Sequence, residues 1–175
     1  MLVDKNLTWK YHIDAITAKI TNTLTIGLIS KLRHSLPRHI HYQTLIHPHL
    51  NFVLVSWDQA SKTSLNEILI LQKKVPHIMY ITDIREHAIP LFLDADILPV
   101  SFMYYKTVAS LMHDINSNNS PTNLFNLFSF IPYNWLSTSG NFHVKSSKLE
   151  IHKNSLSRFG VKLWNKIPCH ITDLP

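Results

Sequence analysis

Glycine is scarce in this chain: Gly27, Gly140 and Gly160 are the only three in 175 residues, under half the ~7% usual in globular proteins. No two of them are neighbours, which excludes the glycine-rich phosphate loop and the dinucleotide-binding fingerprint. It also removes the tight hairpin turns on which an all-β chain depends. Cysteine occurs once, at Cys169, so an internal disulfide is excluded and a reducing compartment is implied. Long apolar runs are missing too. Nothing approaches the ~18 consecutive residues of a membrane span, and Met1 opens no signal-peptide pattern. Charged residues make up only 16% of the chain against 45% apolar, the balance of a globular protein rather than a disordered one. These absences together predict a soluble, intracellular, mainly helical protein without a membrane partner, in cytoplasm or nucleus.

What is present is a basic surplus with an uneven distribution. The net charge is +6, from 17 basic and 11 acidic side chains. Residues 1–80 carry +5, residues 81–132 carry −3 and residues 133–175 carry +4. Basic ends around an acidic middle fit a polyanion held at the ends, and an ordinary solvated surface would show the same composition.

The pattern of apolar residues predicts helices. Ile13, Ile16, Ile20, Leu24, Leu28, Leu32 and Leu36 recur every three or four positions, one face of a long helix. Thr8 is its expected N-cap and Pro37 its end. Residues 38–60 read as a second helix kinked at Pro48, apolar nearly all round in its second half and therefore expected to be the most buried element. Ser64 with Glu67 forms a capping box for a third helix running to Lys73 and Lys74, with Pro76 expected to end or kink it. Residues 77–100 look irregular. Phe102, Tyr105, Val108, Ala109, Met112 and Ile115 restore helical spacing, residues 116–122 read as a linker, and residues 124–130 as a short helix. Phe142, Val144, Leu149 and Ile151 point to extended segments, and residues 159–168 to a compact aromatic-basic end.

Active-site chemistry is hard to find. His39 and His41, like His47 and His49, are two apart; on a helix such positions point about 200° from each other and cannot share an ion. No second thiolate and no H-E-x-x-H pattern supports zinc. Asp94 and Asp96 lack a third acidic ligand at a recognisable spacing and read as a solvated loop. Cys169 and His170 are sequence neighbours, which seldom face each other as a thiolate–imidazole couple. The G-x-S-x-G pattern of serine nucleophiles is missing. The basic positions carry more. Lys31 and Arg33 at the end of the first helix, with Arg38 at the start of the second, group around one corner, and Lys73 and Lys74 end the third helix. Such clusters hold phosphate backbones without reading bases. Cations at helix C-termini also complement the macrodipole, which by itself accounts for Lys31, Arg33, Lys73 and Lys74.

A set of longer strings then points to a family. LVDKNLTWKYHID (residues 2–14) resembles "G-V-x-I-D-x-x-L-x-W-x-x-H-I", which closes the palm and opens the thumb in non-LTR, LINE-like (jockey-type) retrotransposon reverse transcriptases. SKLRHSLPR (30–38) resembles that family's "K-L-R-x-x-L-P-R", and LIHPHLNFVLVSW (45–57) its "L-I-H-P-H-L-x-Y-C-x-x-x-W". KTSLNEILILQKK (62–74) is similar to "K-T-x-L-x-K-L-x-x-L-Q-K-K". REHAIPLF (85–92), ILPV (97–100) and GVKLWNKIP (160–168, like "G-x-K-L-W-N-x-L-P") follow in the expected order.

The resemblance implies a mainly α fold: a thumb-like helical bundle with a short N-terminal strand remnant and an irregular, partly extended C-terminal tail. Residues 1–8 would end a palm-like strand, 9–80 form the bundle, 81–116 an irregular segment plus helix, 117–123 a linker and 124–175 a C-terminal region with a short helix and extended segments. It implies a piece of an RNA-directed DNA polymerase without the catalytic aspartates, which lie upstream in the family together with their Mg2+. Such a chain has no cofactor of its own and no catalytic or metal residues. Its partners would be the RNA/DNA template–primer duplex, bound weakly and salt-dependently, and the palm and fingers. Lys31, Arg33, Arg38, Lys73 and Lys74 are the expected nucleic-acid contacts. A domesticated nucleic-acid-binding or helical protein-interaction module is the alternative. The sequence also departs from the family. It is roughly three residues short between "L-P-R" and "L-I-H-P", a turn of about 60° in a helix. Val75-Pro76-His77 replaces a helix continuation, and Tyr133-Asn134-Trp135-Leu136 stands where "Y-N-T-R" is usual.

Overall fold

The computed structural model describes residues 4–5, 8–22, 27, 29, 31, 37–57, 60–83, 85–129, 142–144, 146 and 155–168. Among these the secondary structure is helical, with nothing more extended than an isolated bridge at Phe142. The expected mainly α class therefore holds. The strand remnant expected at Leu2 and Val3 lies outside the described residues. Two compact units form, Met1–Tyr104 and Tyr105–Pro175.

In the first unit, α1 spans Lys10–Thr21 and buries Ile13, Ile16 and Ile20, the apolar face read from the sequence. Its start differs from expectation. Trp9, with φ 61, takes the capping position, and Thr8 is instead drawn to Asp4. The Asp4 carboxylate accepts the Thr8 N–H at 2.8 Å, the Thr8 hydroxyl at 2.6 Å and the Trp9 N–H at 3.2 Å. A carboxylate is a stronger acceptor than a neutral hydroxyl, and the Thr8 hydroxyl in turn holds the Asp4 carboxyl below its ordinary pKa. The helix stops at Asn22, well short of Leu36. The Thr21 hydroxyl donates back to the Thr17 carbonyl at 2.5 Å, a local bond that competes with the helix ladder where threonines cluster. Gly27, Ile29 and Lys31 are helical again, and Ile29 is buried. Leu24, Leu28, Leu32 and Leu36 lie outside the described residues.

The single kinked helix expected over 38–60 is three short ones: α2 Arg38–Leu45, α3 His47–Asn51 and α4 Leu54–Trp57. Pro48 sits in the first turn of α3, where its missing N–H is no loss. The second break falls at Val53, which adopts φ 55. That turn swings Phe52 outward to 53% exposure while Leu50, Leu54 and Trp57 are buried. The segment is thus a corner with one dry side, not the most buried element.

Helix α5, Lys62–Tyr80, is capped by Ser61, whose hydroxyl accepts the Ser64 N–H at 3.2 Å. The expected cap at Ser64 is therefore inside the helix. Pro76 neither ends nor interrupts α5, and the expected stop there is overturned. An interior proline costs ~3 kcal/mol, but Val75, Pro76, His77 and Met79 are all buried, and each large apolar side chain so placed returns roughly 1.5–3 kcal/mol. The helix ends at Ile81, in the left-handed region at φ 58, and the Thr82 N–H bonds the His77 carbonyl at 3.1 Å. The stretch expected to be irregular holds the end of α5 and a further helix, α6 Ala88–Asp94, with Pro90 in its first turn. Helix α1 packs on α5 and α3, α2 on α3, and α5 on α6.

Helix α7, Val100–Asn116, appears where the spacing predicts it. Its later half, with Val108, Met112 and Ile115 buried, belongs to the second unit. There α8 is limited to Thr122–Phe125, shorter than expected, and the aromatic-basic end forms α9, Leu156–Trp164. Gly160 lets α9 approach closely: a Cβ at this position would stand 3.0 Å from the Met112 sulfur. Phe142 is held by Asn165, whose amide accepts its N–H at 3.1 Å and donates to its carbonyl at 2.9 Å. The Phe142 ring then packs against Phe128 and Trp164, with centroids at 5.7 and 6.5 Å. Phe142 and Val144 are non-helical; Leu149 and Ile151 lie outside the described residues.

Candidate functional site

Of the five basic residues singled out by sequence, the structure describes four in part or in full. Lys31 is helical and exposed. Arg33 lies outside the described residues, and Arg38 is the first residue of α2, so their grouping at one corner lies outside what is described. Lys73 and Lys74 are exposed, but they do not end their helix: α5 continues six residues past Lys74 to Tyr80. The macrodipole acts within the last turn and so gives no account of these two lysines.

Both instead line a groove of about 510 Å3 in the first unit. One wall is α5, where Ile70, Lys73, Lys74 and His77 share a face at helical spacing. The facing wall is α6 and the turn before it, with Glu86 and Ile89, and the start of α7 adds Phe102. Apolar surface is open to solvent here: Ile89 is 71% exposed, Phe102 58% and Ile70 46%. Among the described residues Lys73 and Lys74 enter no ion pair. Sequence reading missed the groove because it took residues 77–100 as irregular. The available signal was the apolar run around Pro90, a residue at home in a first helical turn.

A buried amide joins the α5 wall to the start of α7. Gln72 has no exposed surface. Its Nε2 donates to the Tyr42 hydroxyl at 2.5 Å and to the Leu98 carbonyl at 2.9 Å, and its Oε1 accepts the Val100 N–H at 2.8 Å. One side chain thus ties α5 to α2 and to the first residue of α7. Tyr42 completes the cluster toward the Met103 sulfur at 4.0 Å, and burial pushes its hydroxyl pKa up to about 12. With its donors and acceptor engaged, the Gln72 amide acts as a clamp.

No protein-family model, characterised protein or solved structure matches the chain. Asp94 and Asp96 are both exposed, Asp94 ending α6 and Asp96 in the turn after it. Among the described residues no three His, Cys, Asp or Glu side chains come together as a metal site. His41 is buried in α2, and His47 sets its ring edge-on to Tyr42 at 6.3 Å. His12 is buried among Trp9, Phe52 and Trp57, with ring centroids 6.3 to 6.5 Å away. Its Nε2 has no hydrogen-bond partner among the described residues, and burial lowers its pKa. Cys169 and His170 lie outside the described residues. No described helix is long and apolar enough to cross a membrane.

Proposed function

We propose that the chain is a helix-rich, non-catalytic piece of a non-LTR, LINE-like reverse transcriptase, the thumb and downstream region, and that it grips template–primer nucleic acid through its phosphates. The family assignment rests on the ordered strings from residue 2 to residue 168. The observation that carries the grip is the exposed Lys73–Lys74 pair in the middle of α5. These ammonium groups serve neither an ion pair among the described residues nor the helix end, so they are available to an outside anion. Lys31, exposed on its own helical segment, is a further contact under this reading. Arg33 and Arg38 complete the proposed set.

Phosphate neutralisation has a defined signature: log K falls linearly with log salt, by about 0.9 per duplex phosphate contact. Fluorescence anisotropy with a primer–template duplex across a salt series measures it. Replacing Lys73 and Lys74 with alanine should lower that slope by about 1 to 2. Absence of salt-dependent binding in the wild type overturns the grip. Primer extension by the chain alone should give no product, and any product overturns the non-catalytic assignment. The exposed Ile89 and Phe102 favour a second reading, a helical module that docks a protein partner through apolar surface.

A further inference from the structure

We infer that the groove between α5, α6 and the start of α7 is a binding site for an amphiphilic monoanion, an aliphatic chain bearing a single carboxylate. Phosphate contacts need only surface lysines, so the cavity beneath Lys73 and Lys74 is not explained by a backbone grip. Its volume, about 510 Å3, falls within the ~300–1,000 Å3 of small-molecule sites. The lining offers both kinds of contact that an amphiphile requires. Ile70, Ile89 and Phe102 offer exposed apolar surface from three different helices, and burying it against an alkyl chain is favourable. Its polar lining includes two ammonium groups, Lys73 and Lys74, on one wall, the Glu86 carboxylate on the facing wall, and His77 and His87. With the two histidines neutral, that leaves a local surplus of one positive charge, which a single carboxylate matches. The apolar surface is largely aliphatic, which favours an alkyl chain over a stacked base, since bases need aromatic platforms.

The walls suit such a ligand because they are held apart independently of it. The Gln72 clamp joins α5 to the start of α7, and the Ile97 N–H bonds the Phe92 carbonyl at 2.8 Å, closing the turn after α6. A preformed cavity spares the ligand the cost of ordering its own site.

The test uses decanoate below its micelle concentration, titrated into the full chain and followed by calorimetry and by amide shifts. Saturable one-site binding is expected, with shifts confined to residues 69–77, 86–92 and 99–102. Decanol, which lacks the charge, and acetate, which lacks the chain, should each bind at least about tenfold more weakly, ~1.4 kcal/mol per tenfold. Lys73→Glu with Lys74→Glu should weaken decanoate by a similar factor, and so should Ile89→Asn. All three positions are exposed, so the fold should survive, with Phe102→Ser as an independent variant on another helix. No binding, equal binding of decylammonium, or decanoate binding indifferent to these substitutions overturns the inference. These outcomes are separate from the nucleic-acid salt series, which stands or falls with the duplex alone.

Discussion

Replacing Gln72 with leucine keeps the volume of the side chain and removes its hydrogen bonds. In the wild type the amide is fully buried and serves three partners: the Tyr42 hydroxyl, the Leu98 carbonyl and the Val100 N–H. The partners do not lose equally. Leu98 is exposed as a residue and its carbonyl bond is only partly buried, so water replaces it. The Val100 N–H is buried with Gln72 as its acceptor, and an orphaned buried donor costs about 1–3 kcal/mol. The Tyr42 hydroxyl keeps only a weak sulfur contact at 4.0 Å. Together the expected loss in Gln72→Leu is about 2–5 kcal/mol. Tyr42→Phe removes a hydroxyl and leaves Gln72 with its other partners, so it should lose only about 0.5–1.5 kcal/mol. In the double variant no hydroxyl is left stranded, and the combined loss should fall short of the sum by roughly 1 kcal/mol. Urea unfolding of all four proteins, with exchange of the Val100 amide as a local probe, measures these quantities. A Gln72→Leu loss below about 0.5 kcal/mol, the range of ordinary surface substitutions, or strict additivity of the two changes, would refute the clamp.

Three further outcomes follow from the same structure. Tyr42 stays neutral in the fold to a pKa of about 12, whereas an unfolded tyrosine ionises near ~10; the stability this confers is complete below the lower value and is lost as pH rises between the two. Stability measured against Tyr42→Phe should therefore decline by up to about 3 kcal/mol more in the wild type over that alkaline window. His12 has the opposite sign: its pKa is lowered by burial, so its contribution is present above the ordinary ~6.5 and is lost as pH falls through the folded value. His12→Phe should flatten the acid limb of the stability profile, and an unchanged limb would show that the imidazole is not held neutral. Finally, Ile81 closes α5 at φ 58 while remaining 67% exposed, so Ile81→Gly should raise stability by about 1 kcal/mol in thermal unfolding; a loss would mean that the exposed side chain does more than its accessibility indicates.

Sequence periodicity found the helices that hold themselves. The Ile13, Ile16 and Ile20 face of α1 and the Val108, Met112 and Ile115 face of α7 are buried as the three-and-four spacing requires. The Lys73–Lys74 pair was legible as a candidate contact, because charge is a property of the residue. Its setting was not. The groove depends on α6 facing α5, and a seven-residue helix with proline in its first turn carries too short a period to be distinguished from a loop. Similarly, Thr8 is a reasonable cap by type, but a carboxylate four residues earlier takes up its hydroxyl and its own N–H.

By itself, then, the amino-acid sequence determined the helical class, the basic ends and the lack of a glycine-rich loop or a second cysteine for an internal disulfide, because these follow from composition and short-range spacing. Tertiary structure alone decided that Pro76 lies inside a helix, that residues 38–57 break at Ile46 and Val53, and that Gln72 is a buried clamp. The reason is physical. A proline inside a helix and a buried amide are each unfavourable locally, and each is offset by burial in the packed core. Gln72 shows it most clearly: its partners at positions 42, 98 and 100 are brought together by packing, and no local pattern marks them.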